Sequence, residues 1–247
     1  MSSMDTARVT TRAVKKTVEA AGAFFFAPDT VARGAELGFD GVTLYIAGRG
    51  GVLGDVDDDA VVTAFHHFTA EALIPRWEAG RKLSPPARTG ELYAECARAW
   101  GREHLADLPD VDRLADVTTR IVRANDLGAL APLYSAWRAV PLPDDAPARL
   151  AQNLQTLREH RGGLHILALA AHRLTSVEAQ VAESGRFMGF YGHPKPYPEV
   201  TDALTARREA AEELTDELVA AAYAVLDEAE STAFAAHAEA LGARLAH

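Results

Sequence analysis

Apolar residues recur along most of this chain at intervals of three and four, the spacing of one helical face. Val14, Val18, Ala21 and Phe25 keep that spacing, which predicts helix over residues 5–37 with a turn at Pro28-Asp29. A short helix, Thr30–Leu37, then stops at Gly38. The stretch Gly41–Thr69 organises the rest. It reads as an apolar helix, Val42–Arg49, a tight turn at Gly50, Gly51 and Gly54, and a second helix, Ala60–Phe68. The acids Asp55–Asp59 supply that second helix with a cap and with negative charge in its first turn. A looser copy spans Gly163–Gly185: helix Leu164–Arg173, turn Leu174-Thr175, helix Val177–Ser184, with Thr175 or Ser176 as cap and Glu178 close by.

Between and around these units the pattern predicts more helix. Thr89 caps a helix carrying Leu92, Ala99 and Trp100. Asp110–Leu127 is closed by Asp126-Leu127-Gly128, and Leu130–Val140 adds a short helix. Ala148–His160 presents Leu150, Leu154 and Leu157 on one face, and Arg161-Gly162-Gly163 reads as a turn. Residues 185–200 hold aromatics, glycines and three prolines, which leave room for at most a short β-ribbon. Thr201–His247 reads as one long helix. Its Leu204, Ala211, Leu218 and Val225 recur every seven residues, a seam for the body or for the partner in a homodimer. The Pro-rich Pro141–Pro147 is the clearest linker, dividing the chain into residues 1–140, a linker 141–147 and residues 148–247.

Composition supports a helical, globular reading: 48% apolar, 24% charged, with few β-branched runs in 247 residues. No apolar run approaches the ~20 residues of a membrane span, and the N-terminus lacks a secretory apolar centre. The sole cysteine, Cys96, cannot form an internal disulfide and reads as a small packing residue. These features predict a cytoplasmic protein without a membrane partner. The formal net charge is −10, and residues 201–247 hold ten acids against three arginines.

The segments Tyr45-Ile-Ala-Gly-Arg-Gly-Gly-Val-Leu-Gly54 and Leu157-Arg-Glu-His-Arg-Gly-Gly-Leu-His165 resemble the SalK-type helix-turn-helix family of bacterial proteins. The resemblance runs from about residue 12 onward. It implies a mainly α fold of tandem winged-helix or helix-turn-helix-like halves, with short β-ribbons at most and a long C-terminal helix. Members of that family are largely of unassigned function, and some are encoded among natural-product genes. The resemblance therefore carries no chemistry with it.

Charge argues against the nucleic-acid reading that such a fold invites. A reading helix brings Arg, Lys, Asn and Gln to bases and phosphates. Here the first candidate, Asp57–Phe68, opens with three aspartates and has no Lys or Arg. The second, Ser176–Ser184, offers Glu178, Gln180 and Glu183. Each carboxylate beside a phosphate costs about 1 kcal/mol even in water-like dielectric.

The sharper expectation is a small-molecule pocket between the halves, with aromatic walls from Tyr45, Phe65, Phe68, Trp77 and Trp100. Arg49, His66, His67, Arg158, His160, Arg161 and His165 are its candidate polar groups. Arg49 and Arg161 suit a carboxylate or phosphate, and a histidine suits proton transfer. Each has a plainer reading. Arg49 could pair with Asp55–Asp59; His66 and His67, neighbours on a helix, would project about 100° apart, so only one could face a site. His165 and His172 lie seven apart without a tight metal spacing, and the glycine-rich turn lacks the Lys-Ser/Thr of a phosphate loop. The expectation is thus a ligand-binding protein, or an enzyme of bacterial secondary metabolism, taking an apolar or anionic metabolite, with a DNA-binding regulator as the alternative. No cofactor or metal and no catalytic residue is indicated.

Overall fold

A computed structural model describes residues 3–124 and 130–245. Among them there are twelve α-helices and no strand. The fold is mainly α, as expected, and no β-ribbon follows either unit. The continuous helix expected before Pro28 is instead α1 (Ser3–Glu19) and a 3₁₀ segment, Ala20–Phe26. Ala27 is extended, as a residue before proline prefers, and Pro28 opens α2 (Pro28–Ala35). α3 (Gly41–Gly51) is capped by Asp40, which accepts hydrogen bonds from Val42 N and Thr43 N, both at 3.0 Å. Gly50 and Gly51 lie inside α3 rather than in a turn. A Cβ on Gly51 would stand 2.3 Å from Pro86 O, and one on Gly90 would stand 2.6 Å from Val52 N. These glycines let α3 cross α6 (Pro86–His104) backbone to backbone, and only Gly54, at φ 81°, serves the turn. α4 (Asp58–Ala64) takes its cap from Asp57, and α5 (Ala70–Leu83) from Thr69. Thr89 is not a cap: Pro85 precedes α6, and the Thr89 hydroxyl donates back to Pro85 O. α7 (Val111–Ala124) and α8 (Pro132–Ala139) follow; the expected closure at 126–128 lies outside the described residues.

The middle of the molecule is α9 (Ala146–Ala171), 26 residues long, packed against α6, α7, α8 and α11. The expected turn at Arg161-Gly162-Gly163 does not exist, because α9 runs straight through it. A Cβ on Gly163 would lie 2.4 Å from that of Ala131, so this glycine marks a close approach rather than a bend. Every residue from Leu150 to Leu157 is buried, and an all-round buried helix has no apolar stripe to read. α10 (Ser176–Glu183) takes its cap from Thr175, one of the two residues expected, in a reciprocal box with Glu178. The long C-terminal helix is two: α11 (Asp202–Tyr223) and α12 (Glu228–Leu245). The break has a local cause. Glu230 N donates to Asp227 Oδ1 at 2.8 Å and Asp227 N donates to Glu230 Oε2 at 3.1 Å, a second capping box that starts a new helix.

One hydrophobic cluster joins residues from Ala7 to Leu245 and continues across the 141–147 segment. A smaller one ties the end of α9 to α10 and α11 through Leu169, Leu174, Ala179, Leu204 and Ala211. Leu204 and Ala211 of the heptad seam are therefore buried within the same chain. No described helix is long and apolar enough to cross a membrane.

Candidate functional site: a chamber beside the second half of the central helix

Arg158, Arg161, Gly162, His165 and Ile166 fall at helical spacing on one face of α9, and each lines one or both of two adjoining cavities. The larger, about 350 Å³, also takes lining from α1, α10, α11 and residues 187 and 191. The smaller, about 80 Å³, adds Tyr45, Arg49 and the loop Phe65–Phe68. His67, Arg158, Gly162 and Tyr191 belong to both, so the two form one chamber with a narrow inner end.

The inner end is fixed by a buried ion pair. Arg49 and Tyr45 lie one turn apart on α3, and Arg49 Nη1 donates to the Tyr45 hydroxyl at 2.9 Å. Arg49 Nε and Nη2 donate to both oxygens of Glu159 at 2.7 Å, with the guanidinium 4.8 Å from the Phe65 ring centre. Gln155 also donates to Glu159. Burial opposes the charge on both partners, yet each favours the other's charged form: Arg49 is raised and Glu159 lowered from their ordinary values. Arg49 thus pairs across the fold with α9, not with Asp55–Asp59; Asp55 pairs with Arg81.

His66 and His67 correct a second expectation. α4 stops at Ala64, so the two rings sit in a turn, 5.2 Å apart, and both line the inner cavity. His67 Nδ1 is 3.1 Å from the Ser176 hydroxyl, whose proton is directed to His67 O. Ser176 therefore accepts from Nδ1–H, leaving Nε2 as an acceptor. Burial, with help from neighbouring His66, pushes His67 down to about 3. His165 repeats the arrangement. Its Nδ1 is 2.9 Å from the Thr215 hydroxyl, which itself donates to Ala211 O, so Nδ1 carries the proton and Nε2 again accepts. Burial and the nearby Arg208 hold His165 at about 4.

The outer end carries a network that the sequence did not reveal. Arg161 donates to Glu19 at 3.0 Å, to Asp216 at 2.9 Å and to Glu212. Glu212 also meets Lys15 and Arg208, each at 2.6 Å. Burial would raise this carboxyl, but Lys15, Arg208 and Arg161 bring it down to about 2. Arg158 differs from these cations. Its guanidinium lies over the Phe25 ring at 4.9 Å, and its ion pair, to Glu159, is long at 3.7 Å.

Of the nine candidate residues, the structure brings eight to this chamber; His160 is turned away. It is 1% exposed, packs on Tyr134 at 4.8 Å, and is held by burial at about 4. Phe68 joins the chamber wall, but Trp77 is fully buried core and Trp100 lines a separate cavity. Phe24 and Phe25 pack in the core as a helical pattern suggests, whereas Phe26 is 47% exposed. Cys96 is buried and burial raises its thiol. Glu19, Arg208 and Glu212 were missed because they sit on α1 and α11, whose sequence spacing to α9 carries no signal. No cluster of described His, Cys, Asp or Glu side chains could hold a metal ion.

These elements define a class: an all-helical protein whose helix–turn–helix segments frame an internal polar chamber. Residues 10–195, well over half of the chain, match the model of a helix-turn-helix family, and the chain belongs to that family. No curated protein and no solved structure matches it.

Proposed function

We propose that this chamber binds a small organic anion with an aromatic or apolar body and a hydrogen-bond donor. The observation that carries the reading is Arg158, the chamber cation whose ion-pair contact is long, set on a face of α9 that lines both cavities. A carboxylate suits its guanidinium. The aromatic rings of Tyr45, Phe65, Phe68 and Tyr191 suit the ligand's body, and the Nε2 acceptors of His67 and His165 suit a hydroxyl or N–H. Catalysis has less support. A general base near neutral pH needs a pKa near the working pH, and burial holds these histidines far below it. The SalK-type resemblance of Tyr45–Gly54 and Leu157–His165 is compatible with a metabolite of bacterial secondary metabolism, and with reading α3–α4 and α9–α10 as two winged-helix-like units without wings.

Native and denaturing mass spectra of freshly purified protein test this reading. A small acid retained by the native form and absent from Arg158→Gln supports it. A retained species unaffected by that change, or one lacking an acid group, counts against it. The family match favours a second reading, DNA binding. Against it, α10 carries no cation, its Glu178 is held by Arg207 at 3.0 Å, and Gln180 is buried against the chamber. Fluorescence anisotropy of a random duplex at low salt separates the two: the proposal expects no saturable binding.

A further inference from the structure

A further cavity lies apart from the Arg158 chamber. It measures about 470 Å³, between the 3₁₀ segment with α2 on one side and α6 on the other. One wall is flat: the Trp100 and His104 rings stack at 4.4 Å with 5° between their planes. His104 Nδ1 is 2.9 Å from Trp100 O, which fixes the ring by making Nδ1 the donor. The exposed ring of Phe26 stands on the other side.

The charged groups here are unusual for this molecule, in which most arginines are braced by carboxylates. Arg33 is half-buried in the cavity lining and makes no hydrogen bond or ion pair with any described residue. Asp29 lines the same cavity one turn earlier on α2, the spacing that ordinarily favours a pair, yet the two do not meet. Glu103 lines it from α6. A cation and two acids held apart around a flat aromatic wall match a ligand that carries both charges and a ring.

We propose that this cavity is a second binding site, for a zwitterionic aromatic ligand of the amino-acid type. Arg33 takes the carboxylate, Asp29 or Glu103 takes the ammonium, and the ring lies against Trp100 and His104. The cavity volume falls in the usual range for small-molecule sites. The proposal does not depend on the Arg158 chamber.

The test is calorimetric titration of full-length protein with L-phenylalanine, phenylacetate and phenethylamine, alongside tryptophan fluorescence. Trp77 and Trp137 are fully buried, so Trp100 is the tryptophan that reports this cavity. L-phenylalanine is expected to bind saturably, at least tenfold tighter than either singly charged analogue. Arg33→Gln should weaken it to the level of phenethylamine, and Arg88→Gln, at an exposed arginine of α6 outside both sites, should leave it unchanged. Unfolding curves of each variant check that the fold is retained. Absence of saturable binding at millimolar phenylalanine, equal affinity for all three compounds, or an effect of Arg158→Gln without one of Arg33→Gln would each overturn the proposal.

Discussion

Two sets of polar residues on α9 stand in different circumstances. In the first, Gln152, Asn153, Gln155 and Glu159 are buried and tied to their neighbours: Gln152 to Arg98 and Val140 O, Asn153 to Thr118 and Thr119, Glu159 to Arg49. In the second, Arg158, Arg161 and His165 face a cavity of about 350 Å³. The first set is held mainly by protein partners, so that removing Glu159 strands Arg49, although Asn153 also lines a cavity of about 200 Å³. The second keeps polar groups beside open volume, where a ligand can complete them. Burial of polar groups alone therefore does not mark a site; a cation with a long ion pair beside unfilled space is the more telling sign.

The sharpest way to break this contrast is to remove one buried charge. Glu159→Ala is expected to destabilise the protein by about 3–5 kcal/mol, read from urea unfolding, because Arg49 is left buried without its partner. Glu212→Ala, on a carboxylate that is 22% exposed, should cost clearly less. Equal costs would erase the distinction between the buried pair and the chamber network.

Acid gives the next largest effect. His160 has a folded pKa of about 4, below the ordinary unfolded value, so the unfolded chain binds its proton first as pH falls. Its contribution is full above about pH 6.5 and is lost as pH falls toward 4, about 3 kcal/mol in all. His160→Gln should flatten the stability–pH profile over that window by this amount. His67 and His165 act with the same sign, and a ligand hydroxyl donating to their Nε2 atoms would favour the neutral forms further. 4-Hydroxybenzoate should therefore enlarge their share of the acid loss and leave that of His160 alone.

Two adjacent glycines on the same helix differ in their surroundings, with smaller expected effects. Gly163→Val should destabilise by about 1–3 kcal/mol through its clash with Ala131. Gly162→Ala meets nothing within 4 Å and should be neutral or stabilise by up to about 1 kcal/mol. Both are read by thermal or urea unfolding.

The same two glycines show where sequence reasoning stops. Periodicity revealed helices, and side-chain chemistry pointed to a cap within Asp55–Asp59 and one at Thr175 or Ser176, which the structure places at Asp57 and Thr175, because both signals are local. Gly162-Gly163 looked like a turn because a glycine that permits a bend and one that permits a close contact are spelled alike; only the position of Ala131 separates them. Reading a turn there hid the shared face of Arg158, Arg161 and His165, although each residue was a candidate singly. The partner of Arg49 was equally hidden, since Glu159 lies 110 positions away while Asp55–Asp59 lie nearby. His66 and His67 were judged by helix geometry that ends one residue before Phe65. The segment 185–193 gave no hint of its role: Tyr191 O accepts from Thr69 N at 2.9 Å and His193 Nε2 lies 2.8 Å from His67 O, which fastens it over the chamber.

The central claim is that Arg158 is held ready for a ligand rather than for the fold. Calorimetric titration of 4-hydroxybenzoate into wild-type protein and Arg158→Gln at pH 7, with urea unfolding of both, addresses it directly. The expected result is saturable binding to the wild type, at least tenfold weaker binding to the variant, and stabilities within about 0.5 kcal/mol of each other. Equal affinities, no binding to either protein, or a variant that loses several kcal/mol of stability would contradict the claim.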